Sequence, residues 1–149
     1  MTPRDRLGLA AVLAAVILAA MPTPAQACAC SPIVSVPGQQ ARPVAFDREV
    51  AIFSGTVVEQ SILKQTVTLE VLQVWKGELP YLTTIPILNW NNCEFWFEVG
   101  KTYLIFGLGD SIATMRAEKC TLTAPLEDAG GALEMLKAAG YRPRQPQMR

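Results

Sequence analysis

The sequence predicts a mainly β domain with flanking helices: a five-stranded OB-fold Greek-key barrel with a C-terminal helix. Three observations point there. From Val50 onward, short runs rich in Val, Ile, Thr and aromatic residues alternate with turns that contain Gly, Pro or Asn. The clearest of these runs changes its apolar face part-way along, which suits a closed barrel. Finally, the first 27 of the 149 residues read as a leader, leaving 122, enough for one hydrophobic core. Five short strands and a terminal helix fit a small barrel better than a sandwich of about seven strands.

Residues 1–27 have the pattern of a signal peptide. Arg4 and Arg6 form a basic start, Leu7 to Met21 is an apolar run of 15 residues, and Ala25-Gln26-Ala27 is a small-x-small cleavage site. That run is shorter than the roughly 18 to 20 residues needed to cross a bilayer, and Pro22 and Pro24 end it. The expectation is export to a periplasmic or extracellular space, with no transmembrane span and a mature chain that starts at Cys28.

Ser31 to Pro43 carries Pro32, Pro37, Gly38 and Pro43 and reads as extended connection, followed by a short helical turn at Val44 to Arg48. Val50 to Glu59 is the first strand, with Gly55 marking a bulge. Gln65 to Lys76 is the second. Val67, Leu69 and Val71 share one face of it, and the adjacent Val71 and Leu72 shift Leu72 and Val74 to the other. Lys76 to Pro80 is a turn with Lys76 solvated, and Leu82 to Leu88 is a third strand whose Pro86 argues for an edge. Trp90-Asn91-Asn92 forms a loop before Cys93. Thr102 to Leu108 is a fourth strand with Tyr103, Ile105 and Gly107 on one face, and Ile112 to Lys119 a fifth. Leu126 to Ala139 is helical, with Leu133, Leu136 and Ala139 on one stripe and Gly140 as C-cap. The barrel domain thus runs over 28–140, and 141–149 reads as a polar disordered tail. Trp75 and Trp96 read as core or barrel-edge residues, and Met115 and Met135 as core filler.

Charge and composition narrow the function. The whole chain has 13 Lys plus Arg and 13 Asp plus Glu; without Arg4, Asp5 and Arg6 the balance is 11 to 12. Nucleic-acid binding and polybasic membrane docking both need clustered cations, so neither is expected. The chain contains no histidine, which removes Ser-His-Asp and Cys-His catalysis and imidazole metal ligation. Glu94 with Glu98, and Glu127 with Asp128, read as solvated charge rather than catalytic pairs. The expectation is a protein that is not an enzyme and carries no cofactor.

All four cysteines, Cys28, Cys30, Cys93 and Cys120, lie after the leader, and in an oxidising compartment that count argues for two disulfides. A bond between Cys28 and Cys30 would close a strained ring, so each reaches forward to one of the distant pair, in either of two pairings. Such bridges close loops of roughly 65 to 90 residues and stabilise by about 4 to 5 kcal/mol each in the chain-entropy model. These cysteines have two rival uses. A zinc site would want two pairs with two to four residues inside each, unlike this spacing. Acylation of Cys28 would make a lipoprotein, against which the leader lacks a leucine three residues upstream.

Several pieces together resemble a family. Cys28-Ala29-Cys30, the strand Phe53-Ser54-Gly55-Thr56-Val57, the run Val71-Leu72-Gln73-Val74-Trp75-Lys76-Gly77, then Cys93, Phe97-Glu98-Val99-Gly100-Lys101-Thr102-Tyr103-Leu104-Ile105-Phe106 and a last Cys120 look like the netrin-like (NTR) module of the tissue inhibitors of metalloproteinases (TIMPs). This chain is similar to a single-domain member, without the third disulfide of the animal inhibitory domain or the animal C-terminal subdomain. The resemblance implies a five-stranded OB barrel and bridges from Cys28 to Cys93 and from Cys30 to Cys120. It also implies a role for the N-terminus: the α-amino group and carbonyl oxygen of Cys28 would chelate the catalytic zinc of a target metalloprotease. By position, Ala29 would enter the specificity pocket, Cys30, Ser31 and Pro32 would follow the cleft, and Trp90, Asn91 and Asn92 would form a second contact. Ala29 and Glu94 depart from the pattern, which has Thr or Ser at the first position and a small residue at the second. Two other classes stand beside the inhibitor: a netrin-like module that binds an extracytoplasmic protein without touching metal, and a structural envelope protein held by its disulfides.

Overall fold

The computed structural model describes residues 46–87 and 93–148. Its strands are β1 (Glu49–Ser61), β2 (Thr66–Lys76), β3 (Leu82–Pro86), β4 (Thr102–Leu108), β5 (Arg116–Ala117) and β6 (Ala124–Pro125). One helix, α1 (Gly130–Ala138), follows a 3-10 turn at Leu126–Asp128. The strands form one antiparallel sheet in the order β3-β2-β1-β4-β5, and β6 also pairs with β4. The sheet curls into a half-barrel with α1 on its outside.

Alternation explains the two faces. Phe53 and Val57 on β1, Val67, Leu69 and Val71 on β2, and Tyr103 and Ile105 on β4 gather in one buried cluster on the concave side. Ile52, Leu104 and Phe106 point the other way and pack with Ala129, Ala132 and Leu136 at and on α1, Phe46 and Trp75. Phe46 stacks against Phe106 at 5.5 Å and against Tyr141 at 5.7 Å. Leu136 is fully buried, and Leu133 and Ala139 pack beside it, so the helical stripe lies where the periodicity put it. Gly140 ends the helix at φ 87°, a conformation that costs a residue with a Cβ. Burying each of the larger of these apolar side chains contributes about 1.5 to 3 kcal/mol.

The second strand departs from the expected change of face. Gly55 pairs with Val71 and Ser54 with Gln73, so Leu72 is an extra residue in the ladder. This bulge leaves Leu72 39% exposed and returns Val74 to the concave cluster beside Val67, Leu69 and Val71. Adjacent apolar residues mark a bulge that preserves the buried face rather than exchanging it.

Pro86 does lie on the edge of the described sheet. Val71 N–H bonds Tyr81 O at 2.7 Å and Ile87 N–H bonds Gln65 O at 2.7 Å. By the alternation of an antiparallel ladder, the Pro86 nitrogen faces away from β2, where no donor is needed.

Four other expectations are corrected. Ile112 to Lys119 is not one strand: a 3-10 turn at Ile112–Thr114 precedes the two residues of β5. Gly107 admits this turn, since a Cβ there would sit 2.1 Å from the Met115 sulfur. Phe46 to Arg48 is irregular rather than helical, Val44 and Ala45 lying outside the described residues. Lys76 is not simply solvated, because its Nζ donates to Phe46 O. The segment after α1, read as a disordered tail, is hydrogen-bonded to the sheet: Val74 and Arg144 exchange two backbone bonds of 2.8 Å, Gln147 N–H bonds Leu79 O, and Pro146 is buried. Its polar composition hides a backbone pairing that needs no apolar side chains.

Candidate functional site

The residues singled out for partner contact, Cys28, Ala29, Cys30, Ser31, Pro32, Trp90, Asn91 and Asn92, lie outside the described residues, as does the 1–27 leader. The structure describes the ground beside them, the corner where Cys93 and Cys120 meet. Glu94 and Glu118 form an antiparallel bridge, Lys119 N–H donates to Cys93 O at 2.8 Å, and Phe95 N–H donates to Ala117 O at 3.2 Å. A separation of 27 residues along the chain thus becomes adjacency across two backbone segments. Neither cysteine is a free thiol.

Aromatic packing fixes this corner from within. Phe95 and Phe97 lie 5.1 Å apart, and both meet Tyr103 edge-on, at 5.6 Å and 5.1 Å. Such contacts contribute about 0.5 to 1.5 kcal/mol each beyond burial. Tyr103 Oη then accepts from Glu98 N–H at 3.0 Å, and Lys101 Nζ bonds the Glu98 carboxylate, so the loop from Phe97 back to β4 is held at both ends.

Charge at the corner is uneven. Glu118 is paired with Arg116 at 2.6 Å. Glu94 is partly buried rather than solvated, and burial, then the like charge of Glu118, pushes its carboxyl above the ordinary carboxylate range. No ion pair to Glu94 occurs among the described residues.

Trp75 is buried on the outer face, as expected, but Trp96 is 67% exposed. The signal is in the sequence: Glu94, Trp96 and Glu98 alternate with Phe95 and Phe97, a two-faced pattern that puts Trp96 on the polar side.

An open cavity under the C-terminal segment, lined by Val74, Gly77, Glu78, Leu79, Arg144, Gln145 and Gln147, measures about 100 Å³. Small-molecule sites start near roughly 300 Å³, so this one is too small for a ligand of that class. Among the described residues no three His, Cys, Asp or Glu side chains come together to hold a metal ion, and no helix is long and apolar enough to cross a membrane. No protein-family model matches the chain, and no curated protein matches it.

Proposed function

We propose that the mature chain is an exported, secreted or periplasmic inhibitor of a zinc metalloprotease, built on a five-stranded OB barrel of the TIMP-like, netrin-like type. One observation carries the reading: the convergence of Cys93 and Cys120 on one corner. Two cysteines separated by a single residue lie within roughly 7 Å of each other, so they can be tied down together only where their partners are also close. The corner offers such a pair, and of the two pairings it would serve, the family resemblance implies Cys28 to Cys93 and Cys30 to Cys120.

The chemistry follows from the terminus. A catalytic zinc keeps one position for water, and a neutral amine with its adjacent carbonyl oxygen displaces that water at roughly 2.0 to 2.2 Å. An α-amine has a reference pKa of about 7.7 to 8.0, so it sheds a proton on binding and binds less well in acid. Bridges at Cys28 and Cys30 hold the terminus in place before the target arrives, which lowers the ordering cost of binding. The mature protein should inhibit members of a panel of zinc endoproteases, less at low pH, and acetylation of the Cys28 amine should abolish inhibition. Inhibition that survives acetylation ends this reading.

The arrangement that would undo the clamp is a direct Cys93 to Cys120 bond, which would leave Cys28 and Cys30 free or closed in a strained ring. Peptide mapping without reduction separates the cases, and a Cys93–Cys120 peptide would remove the structural basis for the clamp. Ala29 favours a second reading, a netrin-like module that binds an extracytoplasmic protein without metal, because a methyl group fills little of a deep specificity pocket. Intact mass of the exported protein distinguishes both from a lipoprotein acylated at Cys28.

A further inference from the structure

The segment from Cys93 to Glu98 has a second face that the zinc-capping chemistry does not use. Phe95 and Phe97 turn toward Tyr103, and the intervening side chains turn outward: Trp96 is 67% exposed and the Glu98 side chain 59% exposed. The backbone under the indole is pinned on both sides, by Phe95 N–H to Ala117 O and by Glu98 N–H to Tyr103 Oη. Trp96 is therefore an exposed ring on a pinned backbone, and a partner that meets it need not order that backbone.

The charges around the ring select what it meets. Lys101 is engaged by Glu98 and Arg116 by Glu118. Glu94, two residues before Trp96 and on the same side of the alternating segment, stands opposite Glu118, and among the described residues it has no ion pair, since Arg116 is taken by Glu118. An exposed indole two residues from a carboxylate that has no ion pair among the described residues is complementary to a cation on a flexible stem, which the ring attracts through its face and the carboxylate through charge.

The geometry points to the outward face of Glu94, Trp96 and Glu98 as a docking surface for a protein partner that presents an exposed Lys or Arg. The cation sits over the Trp96 ring and bonds the Glu94 carboxylate. The Cys28 amine takes no part, so this contact and zinc capping can fail separately.

The test uses the full mature protein as bait for a phage-displayed library of random peptides. Enriched peptides should be rich in Lys or Arg, and their synthetic copies should bind more weakly as salt is raised. Trp96→Ala should weaken binding by about tenfold or more, Trp96→Phe by less, and Glu94→Gln by about threefold at low salt. Acetylating the N-terminus should change nothing here. Thermal unfolding of each variant, expected near that of the parent, separates lost contact from lost fold. A library that enriches nothing, enriched peptides without a basic residue, or binding that Trp96→Ala leaves unchanged would overturn the assignment.

Discussion

From β3 across β2 and β1 to β4, the sheet is joined by long antiparallel ladders, whereas beyond β4 the described strands are two residues long and side-chain packing covers that side of the half-barrel. On the second side Phe95, Phe97, Ile112 and Met115 pack against the concave cluster that the ladders enclose. The two sides face the same core but reach it by different physics. A ladder fixes every second residue of a strand on one face, so its apolar pattern is periodic. Packing by side chains asks only that each ring or thioether fit the space left by its neighbours, and it leaves no period behind.

The largest predicted effect probes the ladder side. Phe53 is fully buried on the central strand β1, between β2 and β4. Phe53→Ala should cost about 3 to 5 kcal/mol, read as a lower urea midpoint with little change in slope. A cost below about 1 kcal/mol would mean that the concave core collapses into the gap, and the contrast between an ordered ladder and a fitted seam would lose its basis.

The seam should respond to added volume. Gly107 lets Met115 cross β4 at close range, so Gly107→Ala forces the thioether aside and should cost about 1 to 3 kcal/mol. Combining it with Met115→Ala should cost less than the sum of the two single changes, because each relieves the other. Strict additivity would show that the two residues do not share the space.

These two sides were not equally legible in the sequence. β4 was read at its true bounds, Thr102 to Leu108, and β2 to within a residue, because β-branched and aromatic residues alternate there against polar ones. The face of Val74 differs from the expectation for a physical reason: an adjacent apolar pair such as Val71 and Leu72 looks alike whether a strand exchanges faces or inserts a bulge, and only the partner strand decides. The 3-10 turn at Ile112–Thr114 and the hydrogen-bonded C-terminal segment were missed because backbone pairing with distant residues leaves no mark on local composition. At the candidate site, the cysteine count suggested paired anchors, but the approach of Cys93 to Cys120 depends on the Glu94 to Glu118 bridge, which no spacing rule announces. Exposure of Trp96 is readable from the alternation Glu-Phe-Trp-Phe-Glu, which an assignment of Trp96 to core or barrel edge by residue type leaves unused.

A finer test asks how the seam is tied to β4. Tyr103 contributes both a ring and a hydroxyl, and only the hydroxyl meets Glu98 N–H. Tyr103→Phe keeps the ring stack and should cost about 1 kcal/mol, with faster hydrogen exchange confined to the Glu98 amide and its neighbours. Exchange that rises throughout β1 and β4 instead would place the hydroxyl in the global fold rather than in the seam.

The smallest effect depends on pH and tests the corner itself. Glu94 and Glu118 stand directly opposite, an arrangement that disfavours pairing when both are ionised. Because the folded chain raises the Glu94 pKa above its unfolded value, the protonated form favours folding, and that contribution is lost as pH rises through the folded pKa. Glu94→Gln should therefore be close to neutral in stability below about pH 4 and stabilising by a few tenths of a kcal/mol near about pH 7, discounted for the partial exposure of the site. Urea midpoints for both proteins across that range measure the difference, and exchange at the Lys119 amide, which bonds Cys93 O, reports the same change locally. A gain independent of pH would come from the amide's own contacts, and the repulsion between the carboxylates would then have no part in setting how firmly the two cysteine-bearing segments are joined.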